Sequence, residues 1–182
     1  MTPAEWSLSG SDGELRVHTG VTGRAAKIGH RLTMAMNGWQ AAVHWIGAEP
    51  VTAELTVDVG SLEILRGEGG VTPLSASEKA VARSNALKSL EAHRFPEIRF
   101  EADDIAKTGD GYRLTGKLAI HGQRRERVID LHVDDLGDGW RMSCEAEIRQ
   151  TDFGVKPFSM LMGAMKVADA VTVSFTARKA KD

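Results

Sequence analysis

The residues able to act as nucleophiles, acids or metal ligands are scattered along the 182-residue sequence. The single cysteine, Cys144, lies in an alternating apolar segment, where a neutral buried thiol is expected. No nucleophile elbow of the Gly-x-Ser-x-Gly type and no phosphate-binding glycine loop occurs. The histidines lack the close spacing of zinc ligands; they are His18, His30, His44, His93, His121 and His132. The sequence therefore predicts no catalytic residue, no metal site and no cofactor.

Methionine is the residue type whose placement suggests binding. The set comprises Met34, Met36, Met142, Met160, Met162 and Met165. Flexible thioether side chains suit the wall of a tunnel for a flexible apolar ligand, although the same residues also serve as ordinary core packing. Residues 153–165 concentrate Phe, Met and Gly in a connection that is long and apolar. This segment indicates either a lid over a barrel mouth or a structural plug.

The elements that must position these side chains are mainly β-strands. Residues 112–120 alternate apolar and polar side chains, with Leu114 and Leu118 on the dry face, which is typical of a half-buried strand. Turn residues on both sides predict a three-strand antiparallel meander over residues 95–133. The same alternation recurs at residues 14–19, 31–37, 39–45, 51–59, 139–148 and 171–177. About eight evenly spaced strands favour an antiparallel β-barrel or sandwich.

One helix is expected, at about residues 75–92. Val81, Ser84, Leu87 and Leu90 fall on one stripe at helical spacing. Ser75, followed three residues later by glutamate, resembles a capping box, and the proline at position 96 marks the end of the segment. We expect this helix to lie across an opening or an edge of the sheet.

Composition excludes several classes of protein. The net charge of −2 gives no basic excess for nucleic acid, and no window is apolar enough to span a membrane. The first residues show no secretory signal, and a lone cysteine allows no internal disulfide. We therefore predict one domain over residues 1–182, in the cytoplasm, with no nucleic acid and no membrane span. Arg24, Lys27, Arg31 and Lys156 suit either an anionic head group at a barrel mouth or a solvated surface.

Several motifs together resemble the YceI-like family. They are Gly-His-Arg-Leu at 29–32, Ser-Leu-Glu-Ile-Leu at 61–65, Phe-Pro-Glu-Ile-Arg-Phe at 95–100, Leu-Thr-Gly-Lys-Leu at 114–118 and Arg-Gln-Thr-Asp-Phe-Gly at 149–154. The resemblance covers about residues 14–178, and the 95–100 motif with the 114–118 hairpin is its most specific part. It implies an all-β, lipocalin-like barrel with one helix. It also implies an isoprenoid lipid, such as an isoprenoid quinone or a polyprenyl phosphate, held in an apolar cavity for sequestration or transport.

The residues expected to contact the lipid are large apolar side chains of the predicted inner faces and of the 153–165 segment. They are Leu32, Met34, Met36, Trp39, Val43, Leu55, Val57, Phe100, Leu114, Leu118, Trp140, Met142, Phe153, Phe158, Met160, Met162 and Phe175.

Two other functions are compatible with the same pattern. One is an enzyme acting on a small apolar substrate within the cavity, which would need two or more polar groups converging inside the barrel. The other is an interaction module with a solid barrel, which would need a large exposed apolar patch. A homodimer formed by pairing of edge strands is a further expected partner.

Overall fold

The computed structural model describes residues 4–182 and contains fourteen strands and one α-helix. The strands are β1 Ala4–Ser9, β2 Gly13–His18, β3 Val21–Thr22, β4 His30–Met36, β5 Trp39–Ile46, β6 Glu49–Asp58, β7 Leu62–Gly69, β8 Glu97–Lys107, β9 Gly111–Ile120, β10 Gln123–Asp135, β11 Gly139–Arg149, β12 Ser159–Met160, β13 Met165–Val167 and β14 Ala170–Ala180. The helix, α1, is Ala76–Ser89.

Eleven strands form one antiparallel sheet in the order β1-β5-β6-β8-β9-β10-β11-β14-β2-β4-β7. Strands β1 and β7 are the two ends of this order, yet Leu8 of β1 and Ile64 of β7 belong to one buried cluster. The sheet must therefore curl until its ends approach each other, which gives the barrel-like fold that the alternating pattern predicted. The remaining strands, β3, β12 and β13, form a separate small sheet.

The main sheet has more strands than the eight predicted. Strand β1 pairs with β5 along its whole length, in a segment where Trp6 and Leu8 alternate with serines. The three strands of the small sheet, β3, β12 and β13, were also not predicted. They have only two or three residues each, which is too short for alternation to be recognised. The predicted meander is present as β8, β9 and β10, and Leu114 and Leu118 are buried on its inner face.

The helix begins as predicted. The Ser75 hydroxyl accepts a hydrogen bond from the backbone N–H of Glu78, whose carboxylate accepts one from the N–H of Ser75. Its end comes earlier than the proline indicated, because Glu91 adopts a left-handed conformation with φ of 48°. The N–H of Ala92 then reaches the carbonyl of Leu87, which is the hydrogen bond of a Schellman motif. No helix within residues 4–182 is long and apolar enough to cross a membrane.

Candidate functional site

The barrel is solid at one end and hollow at the other. At the solid end Trp39, Val57 and Met142 pack into a buried cluster, and the Trp39 ring meets Phe175 edge-on at 5.1 Å. At the hollow end lies a cavity of about 550 Å³. Strand β11 contributes to both ends, because Met142 packs in the solid cluster while Ile148, on the same face, lines the cavity. Because the strands are long, one sheet can supply residues both to the packed core and to the cavity wall.

The cavity wall is mainly aliphatic. Strands supply Val17, Leu32, Met34, Met36, Leu62, Ile98, Ile120, Ile148, Val171 and Val173 to it. Its volume lies within the roughly 300–1,000 Å³ that is usual for small-molecule sites. An apolar wall of this size favours a hydrocarbon ligand, because each buried methylene contributes about 0.8 kcal/mol to binding.

Helix α1 forms one side of the cavity. Ala82 and Ala86 line it, with Val81 and Leu90 beside them, whereas Ser84 of the predicted stripe is exposed. Alanine side chains on this face leave space that leucine would fill. Arg83 holds the helix against the sheet, since its guanidinium donates to the carbonyl oxygens at positions 60 and 62, both at 2.7 Å.

The segment between β11 and β14 forms the opposite side and the mouth. Phe153 and Val155 are buried in a second apolar cluster beside the cavity, and Phe158, Met160 and Met165 also line the cavity. Strand β13 pairs with β12 on one side and with β3 on the other. The apolar segment is therefore both a plug, at Phe153, and a rim, at Met160.

Several polar side chains of the cavity wall are bound to the backbone. The imidazole of His30 lies 2.7 Å from the carbonyl oxygen of Thr72, and Gln150 donates to the carbonyl of Ala168 at 3.0 Å. The Thr19 hydroxyl accepts from the N–H of Leu32 at 3.0 Å. These hydrogen bonds stabilise loops and engage the three side chains with the backbone rather than with one another.

Glu78 is the carboxylate at the cavity wall, and its environment favours the charged form. Hydrogen bonds from the hydroxyl and the N–H of Ser75 hold the pKa of Glu78 below its ordinary value, with a smaller contribution from His30 nearby. Its oxygens serve the helix cap, which explains an acidic residue beside an apolar space.

Cys144 is not placed for chemistry. Burial, with a smaller contribution from Glu145, raises the pKa of its thiol to about 11, so the thiol stays protonated and weakly nucleophilic at neutral pH. Within residues 4–182 no three side chains of the His, Cys, Asp and Glu types are grouped to hold a metal ion.

The whole barrel corresponds to a known family. Residues 6–178 match the model of the YceI-like domain. The chain belongs to the YceI-like family. UPF0312 proteins of Yersinia pestis and Yersinia pseudotuberculosis are 29% identical to it over 72 residues, an alignment that spans 36% of this chain and 38% of each relative.

Solved structures show the same fold. BcnA of Burkholderia cenocepacia superposes with a TM-score of 0.70 over 95% of this chain and 99% of BcnA, at 18% identity. The YceI protein of Campylobacter jejuni superposes with a TM-score of 0.60 over 82% of this chain and 84% of its own, at 14% identity. At these identities the likeness concerns the fold alone.

Six of the residues that the sequence of this YceI-like chain pointed to as lipid contacts line the cavity. They are Leu32, Met34, Met36, Phe153, Phe158 and Met160. The first three alternate along β4, and the others come from the connection between β11 and β14.

The other predicted contact residues do not line the cavity. Trp39, Val57 and Met142 are inside the solid cluster, and Leu55 and Phe175 pack against it. Leu118 and Phe100 belong to the second cluster. The rest are Val43, Leu114 and Trp140, which lie on the main sheet, and Met162, which is fully exposed. Alternation predicts which face of the sheet a strand residue lies on, but not whether it lies at the solid or the hollow end of the barrel. Met162 is turned outwards by its left-handed backbone.

Lining residues that the sequence argument missed come from strand ends and the helix. Val171, Val173 and Ile148 lie in the alternating segments 171–177 and 139–148, but nothing in the sequence distinguished them from residues at the solid end. Ala82 and Ala86 were missed because the residues expected to contact the lipid were all large apolar side chains. The useful signal was two alanines four residues apart on one face of the helix.

Proposed function

We propose that this YceI-like protein binds an isoprenoid lipid, a polyprenyl phosphate or an isoprenoid quinone, in the cavity for sequestration or transport. The observation that carries the proposal is the 550 Å³ space with an aliphatic and thioether wall. Branched isoprenoid chains need a wall that adapts to methyl groups, and methionines such as Met34 and Met36 supply one.

The rim suits a ligand with a polar end. Lys166 lines the cavity next to Met165, and Glu78 and His30 lie at the helix side. A tail held inside would therefore leave a quinone ring or a phosphate near Lys166, whose ammonium donates hydrogen bonds, whereas the Glu78 carboxylate only accepts them. Three polar side chains of the wall, Thr19, His30 and Gln150, are engaged with the backbone, which supports a binding role over catalysis.

The test is native mass spectrometry of the purified protein, followed by lipid extraction and identification. We expect a bound isoprenoid that is lost in Ala86→Phe, because this change places a ring in the cavity. Ala80→Phe is the matched control, since Ala80 is exposed on the same helix and does not line the cavity. A cavity that holds no lipid in the wild-type protein, or lipid retained in Ala86→Phe, would contradict the proposal.

Two further features of the proposal have their own tests. A homodimer would use the free edges of β1 and β7, which end the sheet order, and light scattering at several concentrations would detect it. The cytoplasmic location stays a prediction, and cell fractionation tests it.

A further inference from the structure

Large apolar side chains are exposed around the mouth of the cavity. Five of the nine exposed large apolar residues within 4–182 lie there: Ile28, Val81, Met160, Leu161 and Met162. The first three line the cavity, and the last two continue the chain from Met160. Clustered exposed apolar groups of this kind mark a surface that meets another molecule.

The turn between β12 and β13 holds its apolar residues in a strained conformation. Leu161 and Met162 have φ values of 53° and 56°, and Gly163 follows at 88°. Tight turns of this type normally place Gly, Asn or Asp at such positions, because large side chains are disfavoured there. Met162 is fully exposed, so its packing offsets none of this strain. The fold gains nothing from a methionine at this position, which indicates an external contact.

The two segments that frame the mouth carry positive charge only. We call residues 19–29 and 153–168 the mouth segments; they are joined by pairing of β3 with β13 and by a bond from the N–H of Ala25 to the carbonyl of Ala164. They contain Arg24, Lys27, Lys156 and Lys166 and no acidic residue.

These four cations contrast with the rest of the chain. With four of the 23 Lys and Arg residues at the mouth, the remainder has 19 against 25 acids. All four are exposed, and none makes an ion pair with any described residue within 4.0 Å. Three acidic residues adjoin them: Asp152 and Asp169 directly flank residues 153–168, and Glu78 lines the cavity. Asp169 accepts hydrogen bonds from Thr151, and Glu78 is held by its own helix cap. The mouth segments themselves therefore carry only positive charge, on a protein whose net charge is −2.

We propose that the mouth segments dock on an anionic lipid bilayer, with Leu161 and Met162 inserted at the level of the head groups. Exposed apolar residues flanked by Lys and Arg are the combination that binds such an interface. Docking here would place the cavity opening against the membrane, so a lipid tail would pass between bilayer and barrel without crossing water. A second copy of the chain fits this surface less well, because a two-fold contact would bring the same cations together.

The experiment is co-sedimentation with vesicles that contain no isoprenoid, so the result does not depend on the proposed cargo. Vesicles of phosphatidylcholine with about a third phosphatidylglycerol should bind the protein, and phosphatidylcholine alone should bind it weakly. Raising salt from roughly 0.05 to 0.5 M should release it, because screening removes the charge contribution. Leu161→Ser with Met162→Ser should weaken binding at least tenfold. Lys27→Gln with Lys166→Gln should weaken it roughly tenfold to thirtyfold.

Matched controls separate this surface from general stickiness. Val128→Ser is the apolar control. Val128 is 48% exposed, close to the 54% of Leu161, but it lies on β10 away from the mouth. Lys107→Gln with Lys117→Gln removes the same charge from β8 and β9. The urea midpoint of each variant checks folding.

Three results would overturn the proposal. The first is no binding to the anionic vesicles, and the second is an equal loss of binding in the control and mouth variants. The third is a wild-type dimer that the Leu161 and Met162 changes dissociate, which would make the turn a subunit contact. If isoprenoid can be extracted from the protein but the protein does not bind the vesicles, the cargo proposal stands and only the docking proposal fails.

Discussion

A matched pair of methionine truncations tests whether one end of the barrel is hollow. Met142 and Met165 both face the interior, but Met142 is 6% exposed in the solid cluster, whereas Met165 lines the cavity. The change to alanine deletes the same atoms at both positions. Any difference between the variants therefore reports the surroundings of the side chain.

The two positions should differ in unfolding free energy. Met142→Ala opens a void among close-packed neighbours and should lose about 2–5 kcal/mol, as buried truncations do. Met165→Ala enlarges a space that already exists, so only the transfer of its buried part is lost, about 1 kcal/mol. For a chain of this size each kcal/mol lowers Tm by about 2–4 °C, so thermal unfolding separates the variants.

Lipid retention should differ in the opposite direction. Met165→Ala removes contact with the cargo and should weaken its binding about tenfold, while Met142→Ala should leave the lipid per folded molecule unchanged. Urea unfolding of lipid-free protein and mass spectrometry of loaded protein measure the two quantities. Equal destabilisation by both truncations in lipid-free protein would mean that the cavity end is packed, and the reasoning would fail.

Three smaller predictions concern the scaffold. Ser75→Ala should lose about 0.5–2 kcal/mol of stability in urea through the helix cap, and Ser84→Ala, on an exposed part of the same helix, should lose none. Burial raises the pKa of Cys144 from 9.0 to about 11, so the folded protein holds the thiol proton more tightly than the unfolded chain does. The stability that this difference contributes is complete below pH 9 and is lost as the pH rises through 11. The urea midpoint of the wild-type protein should therefore fall more across that range than the midpoint of Cys144→Ala. Gly116→Ala should destabilise by about 1–3 kcal/mol or more, because its Cβ would lie 2.1 Å from a carbonyl oxygen of β8, whereas Gly109→Ala meets nothing and should stay within about 0.5 kcal/mol in the same urea assay.

The parts of the fold that local pattern determines were predictable. Leu114 and Leu118 face inwards because strand side chains alternate, and this holds wherever the strand lies in the barrel. The cap of α1 was predictable because Ser75 and Glu78 satisfy each other within four residues. Neither inference needs knowledge of distant contacts.

The depth of a residue in the barrel was not predictable in this way. Met142 and Ile148 are both apolar and six residues apart on one face of β11, so alternation treats them alike. One packs against other strands and the other borders a cavity, which depends on what lies opposite across the barrel. That information is in the pairing of distant strands. Met162 was wrongly expected on the cavity wall for a related reason. Its side-chain direction is set by a left-handed turn, and position 162 holds neither the Gly nor the Asn that would have indicated such a turn in the sequence.

The empty end of the barrel follows from the way that α1 is attached. None of its residues is buried, and its cavity face carries Ala82 and Ala86, so hydrophobic packing holds it only weakly. What ties it to the sheet are the bonds from Arg83 to β7 and the turn before it, and the hydrogen bond between Glu91, just beyond the helix, and His121. A helix held by one arginine and a contact beyond its C-terminal end can border a cavity without filling it. Few fully buried apolar residues also place α1 among the elements expected to open most readily.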